Sequence, residues 1–267
     1  FGVFRLGWYL APRQLWVAFL SMVSSGILVL FFGYVESYSV LAALLPYIFL
    51  SGLKVADGKS GKGTYLALCI LAVLVHVVAL VIFLPSMLLI FIPARDNAPG
   101  REKKITATLA AAMLIAVVVA YIGRYAGIDV YDRYLMPLFS RPEYLQGIFT
   151  VTHFVNIFNW LFLSALPVLL LVPYLVWRGY LSDFWTNRRT LYALWIVIPC
   201  VFFIFFFTPQ LGGPADWDLF ALPAFMMIPA LLTVYLTDGR RQFPSHIVPV
   251  IVLSFILTLS FALVNSD

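Results

Sequence analysis

The sequence predicts an all-α protein, a polytopic bundle of transmembrane helices, and three observations carry that prediction. Apolar residues make up 63% of the 267-residue chain and charged ones 11%. The mean hydropathy of +0.99 lies well outside the range of soluble domains. Several apolar runs reach the roughly 18 to 20 residues that cross a bilayer, and aromatic residues collect toward their ends, as at membrane–water interfaces. The formal net charge of +5 then reads as a topology signal and not as a nucleic-acid footprint. One bundle over 1–267 is expected, integral and multi-pass in a bacterial inner or plasma membrane. The chain opens on Phe1 without a signal-peptide pattern, so a longer parent protein is expected.

In chain order, Phe1 to Pro12 reads as an interfacial helix or the end of a preceding span. Spans are expected at Gln14–Phe32 and from the Gly33–Ser39 knot to Leu53. The Gly- and Lys-rich loop at 57–63 lacks the spacing of a phosphate-binding P-loop. Thr64–Ile92 is apolar throughout. As one helix it would be about 44 Å long against a hydrocarbon core of roughly 30 Å, so either it tilts and kinks or it folds into two short helices near His76. Further spans are expected at Ile105–Ile122, His153–Trp177, Thr190–Thr208, Leu219–Leu236 and Ile247–Val264. The long connection at 123–152 is an external loop that could carry an interfacial helix.

Charge chooses the hairpin for Thr64–Ile92. With it, every basic residue except Arg124, Arg133 and Arg141 falls on one side, as the positive-inside rule requires. This gives about nine spans, with the N-terminus cytoplasmic and the C-terminus external. Glu36, His76, His153, Asp216 and Asp218 then approach the same external face. Cys69 and Cys200 lie within apolar runs and read as small core hydrophobes.

Acids at the mouth of an apolar bundle are costly unless hydrated, paired or metal-bound, which makes Glu36, Asp216 and Asp218 the candidate catalytic groups. Glu36, flanked by Tyr34 and Tyr38, faces either a cavity or solvent at a hairpin tip. Asp216 and Asp218 bracket Trp217. They act as general base or as ligands for Mg²⁺ or Mn²⁺, with Trp217 offering a face to a sugar ring, or they cap the next helix. His153, Asn156 and Asn159 recur at i, i+3 and i+6, a polar stripe for a phosphate, for sugar hydroxyls or for a neighbouring helix. His76 is a lone histidine in an apolar run, either a satisfied core group or a binding one. Arg124, Arg133 and Arg141 are the cations available to a lipid phosphate, or else interfacial anchors.

Three stretches carry a resemblance: Leu30-Phe-Phe-Gly-Tyr-Val-Glu-Ser-Tyr38, His153-Phe-Val-Asn-Ile-Phe-Asn159 and Gly212-Gly-Pro-Ala-Asp-Trp-Asp-Leu-Phe220. In this order they resemble the C-type glycosyltransferase superfamily, in its bacterial branch similar to dolichyl-phosphate-mannose–protein mannosyltransferases. The chain carries Asn156 where that group often has an acid and Ala215 where it often has an arginine. The resemblance implies transfer of a sugar from a polyprenyl-phosphate donor at the external face. It also implies that the superfamily's first acidic loop lies upstream of Phe1. The alternative is a non-catalytic scaffold or lipid-binding subunit of a larger membrane assembly. A transporter is disfavoured, because the spans carry almost no charge and show no inverted repeat.

Overall fold

The computed structural model describes residues 1–27, 37–91, 101–128, 134–139, 147–180, 187–208, 217–237, 243 and 247–264. Among these, the regular structure is helical: α1 (Gly2–Leu10), α2 (Leu15–Val23), α3 (Ser37–Ala56), α4 (Lys62–Val75), α5 (Val78–Phe91), α6 (Arg101–Tyr125), α7 (Val151–Ser164), α8 (Leu166–Trp177), α9 (Arg188–Phe206), α10 (Trp217–Tyr235) and α11 (Ile247–Val264). Three helices are long and apolar enough to cross a membrane, those at Tyr38–Ala56, Ala107–Tyr125 and Arg188–Phe206. The bent pair α7–α8 makes a fourth if it counts as one span. Of the 123–152 connection, where an interfacial helix was expected, residues 129–133 and 140–146 lie outside the described residues.

The centre of the bundle is α10. Every residue from Phe220 to Leu236 is buried, as a helix apolar on all sides requires. Its walls are α9 along most of its length, then α7, α8, α3 and α2. Trp160 of α7 stacks on Phe220 with ring centroids 4.1 Å apart, and Phe203 of α9 meets the same ring at 5.5 Å. By contrast α6 is the least enclosed of the long helices, with Leu114, Ile115, Val118, Val119 and Ile122 all exposed.

Thr64–Ile92 forms two helices, broken at His76, whose backbone turns extended (φ −158°, ψ 131°). The two pack antiparallel, and Tyr65 Oη lies 2.8 Å from Ser86 Oγ across the pair. The outer end of α5 and the loop that precedes α4 both meet the start of α9. Arg188 Nη2 donates to the Leu89 carbonyl at 2.5 Å, and Arg189 lies 3.7 Å from the Asp57 carboxylate. A straight helix would hold these two ends about 44 Å apart. The charge argument therefore chose the right shape for this segment.

The span expected at His153–Trp177 is interrupted. It breaks at Ala165 and the chain turns by 105° into α8. Pro167, near the start of α8, has no N–H to give the Leu163 carbonyl, so the helical ladder stops there. The span expected at Gln14–Phe32 is also interrupted, since α2 ends at Val23 and runs into Ser24-Ser25-Gly26; its remainder from residue 28 lies outside the described residues. The two breaks meet. Gly26 N–H donates to the Ser164 carbonyl at 3.2 Å, and a Cβ at Gly26 would sit 3.0 Å from the Leu163 carbonyl oxygen. From α11, Ser254 Oγ and Thr258 Oγ1 donate to the Ser24 carbonyl at 2.7 and 2.9 Å. The Ser164 and Ser24 carbonyls at the two breaks are thus paired inside the protein, as an apolar surround demands.

A second tight contact joins α3 to α9. The Tyr192 ring packs on Phe49 at 5.4 Å, and its edge fills the space beside Gly52. A Cβ at Gly52 would come within 2.3 Å of Tyr192 Oη and 2.4 Å of Cζ. The ring is fully buried and cannot swing aside cheaply. Gly52→Ala is expected to destabilise the protein by about 1–3 kcal/mol, the usual cost of overpacking. Adding Tyr192→Leu should remove most of that increment. Thermal unfolding of the two variants in detergent checks this, and an unchanged midpoint for Gly52→Ala would disprove the contact.

Candidate functional site

The bundle has two chemically different ends. At one, α3 finishes with Lys54, α4 starts with Lys62, and α9 starts with Arg188 and Arg189. The other end is where α3 begins, where the α4–α5 pair turns at His76, and where α9 stops. The sequence-based candidates that the structure describes lie at this second end, on different supports.

His153 sits in the first turn of α7, which Thr150 caps by accepting the His153 N–H at 3.3 Å. Its ring is fully buried among Phe154, Trp160 and Phe205, with centroids 6.2–6.5 Å away. Nε2 lies 3.0 Å from the Phe205 carbonyl. Only a nitrogen bearing a hydrogen can satisfy a carbonyl, so Nε2 holds the proton. Nδ1, buried, has no hydrogen-bond partner among the described residues. The Phe205 carbonyl is open to this contact because the last four carbonyls of any helix lack an intrahelical donor. Phe206, the next residue, gives its carbonyl to Met136 N–H at 2.8 Å.

Arg124 is in the last turn of α6, where a cation suits the helix dipole. Its side chain is only 3% exposed, and Nη1 donates to the Leu135 carbonyl. Beside it Tyr121 Oη donates to the Met136 carbonyl at 2.7 Å. Together they clamp the 134–139 segment, which in turn bridges to the end of α9 through Leu135 and Phe207. Arg124 is thus a brace within the protein and not a cation open at its surface. Next to it a groove of ≈ 500 Å³, lined by Val117, Tyr121, Tyr125, Leu138 and Phe206 among others, opens on the side of α6.

The stripe His153, Asn156, Asn159 does not hold one face. Steps of three residues fall short of a full turn by about 60° each, so His153 is buried, Asn156 half-buried and Asn159 exposed. The buried line is His153, Ile157, Trp160 and Ser164. His76 has a different setting. Its Nδ1 accepts from Val78 N–H at 3.1 Å, capping α5, and its ring packs on Tyr38 at 4.9 Å.

Tyr34, Glu36, Arg133, Arg141 and Asp216 lie outside the described residues. Trp217 opens α10 and Asp218 follows in its first turn, and their side chains lie outside what the structure describes. Among the described residues no three His, Cys, Asp or Glu side chains gather for a metal. Cys69 and Cys200 are free thiols, both buried.

Sequence reasoning passed over one cluster at the basic end. Tyr9 Oη donates to the Asp57 carboxylate at 2.5 Å, and Arg189 approaches the same carboxylate. Lys59 and Arg189 also stand over the Tyr9 ring at 5.2 and 5.5 Å. Its signal was present in the acidic residue set among the lysines of 54–62.

Arg124→Met should free the Leu135 carbonyl and loosen the 134–139 segment, at a cost of about 1.5–3 kcal/mol for a hydrogen bond to a charged group. Hydrogen exchange of the Met136 amide is the readout. Protection equal to the parent protein would remove the bracing role. A scan against family models finds no match, and neither the curated proteins nor the solved structures searched include a match to this chain.

Proposed function

We propose that the protein is a membrane glycosyltransferase-like enzyme that moves a sugar from a polyprenyl-phosphate donor at the end of the bundle opposite its basic end. One observation carries the reading. Helix α3 begins directly after Glu36, α10 begins directly after Asp216, and both begin at the end where α9 stops beside His153. Transfer from a lipid phosphate needs a base for the acceptor, a positive or metal-bound site for the leaving phosphate, and stabilisation of an oxocarbenium-like transition state. In this reading Glu36, Asp216 and Asp218 supply acid–base chemistry or hold Mg²⁺ or Mn²⁺. Arg133 and Arg141 meet the phosphate, while Tyr34, Trp217, His76, Asn156 and Asn159 line the path of the sugar. A topology of about nine spans, with a cytoplasmic N-terminus and an external C-terminus, belongs to the same reading. The antiparallel α4–α5 pair supports it by keeping the lysines of 54–62 and the arginines of α9 at one end.

A second reading, a non-catalytic scaffold or lipid-binding subunit of a larger membrane assembly, is favoured by a different observation. Arg124 and His153 both use polar atoms on main-chain carbonyls, which is bracing work.

The test is transfer of labelled sugar from a polyprenyl-phosphate donor by the full protein in proteoliposomes. Glu36→Gln, Asp216→Asn and Asp218→Asn are compared with the parent. A loss of about 10²-fold or more in at least one of them, with unchanged thermal stability, is the expected result for a missing acid–base group. Parental rates in all three would end the catalytic assignment and leave the scaffold.

A further inference from the structure

Helices α1 and α3 run side by side toward the basic end, with Gly2 beside Tyr47 and Tyr9 beside Asp57. They leave between them a groove of about 330 Å³ lined by Phe4, Arg5, Trp8, Tyr9, Leu50 and Lys54. Three features distinguish it from ordinary surface relief. It holds two cations from two different helices, Arg5 exposed and Lys54 half-buried. Neither has a carboxylate within ion-pair distance among the described residues. Arg5 lies 4.6 Å from the Phe1 ring and Lys54 6.0 Å from the Tyr9 ring, contacts that leave the charge uncompensated. The acid of this corner, Asp57, is already taken by Tyr9 and Arg189. The remainder of the lining is apolar or aromatic, with Leu50 as floor and Trp8 58% exposed at the rim.

We propose that this groove binds the head group of an anionic phospholipid. The phosphate lies between Arg5 and Lys54, and an acyl chain continues along Phe4, Trp8 and Leu50. Charge complementarity selects the occupant. Two unneutralised cations favour a net negative head group, and a zwitterionic choline head would bring its ammonium up to them. A basic pocket between helices with an apolar wall is the known physical form of such lipid sites. The long side chains reach it by lying along the helix surface with their charged heads outward. The site is independent of the chemistry proposed for the opposite end.

The purified full-length protein in detergent, offered equimolar phosphatidylglycerol and phosphatidylcholine, is examined by native mass spectrometry. Phosphatidylglycerol is expected to be retained preferentially. Arg5→Gln and Lys54→Gln should each weaken its binding about fivefold, from roughly 1 kcal/mol per cation. Arg13→Gln, outside the groove, should leave it unchanged, and Arg5→Lys should keep most of it. Equal retention of the two lipids by the parent protein overturns the proposal, and this arm needs no variant to fold. Parental preference in the double variant Arg5→Gln/Lys54→Gln also overturns it. Displacement of phosphatidylglycerol by excess inorganic phosphate would identify a soluble-anion site instead.

Discussion

A carbonyl that loses its helical donor inside an apolar bundle must find another, and this structure is arranged around two such losses. Ser24 and Ser164 sit where α2 and α7 stop short. The Ser164 carbonyl is taken by Gly26, and the Ser24 carbonyl by hydroxyls from α11. Water cannot repair such a defect in a hydrocarbon surround, where each unsatisfied group costs several kcal/mol. The breaks must therefore lie together, and that requirement fixes how α2, α7 and α11 are placed. Glycine is needed at 26 because the Leu163 and Ser164 backbone lies too close for a side chain. The sharp turn into α8 follows from Pro167 and is held from the far side by the same contact.

Much of this architecture was legible in the sequence. Hydropathy located the apolar segments, and charge placement chose two helices for Thr64–Ile92 with the turn at His76. The cysteines were read as core residues and are buried. The break at Ala165 was not read, because the run from Trp160 to Trp177 is apolar apart from Ser164 and hydropathy does not register a missing N–H. Its signal was Pro167, and a proline beyond the first turn of a helix is ambiguous on its own. The Ser24-Ser25-Gly26 break was hidden similarly, since small residues are common at helix contacts in membranes.

The candidate site was legible in a different measure. Its end of the bundle was deduced from charge, and His153, His76 and Arg124 do lie there. Their detailed roles depend on which carbonyls fall near them, and spacing holds no information about that. Phe205 and Leu135 are the acceptors, each from an element distant in sequence from its donor. The asparagines at 156 and 159 show the limit of an i+3 pattern, which turns gradually away from the face where it starts. At the basic end, Tyr9, Asp57 and Arg189 come from three separate segments, so their contact is a product of folding alone. The result is a molecule with Tyr9, Asp57 and Arg189 joined at one end and polar groups turned to backbone support at the other.

The enclosure of α10 bears on how the protein is made. The helices that wall it, α2, α3, α7, α8 and α9, all precede it in the chain, so each leaves the ribosome first. By the time α10 is made, the segments that wall it have all been made, and its stretch from Phe220 to Leu236 keeps no open face in the folded protein. Until that moment Trp160 and Phe203 border an open seam with no aromatic partner at Phe220.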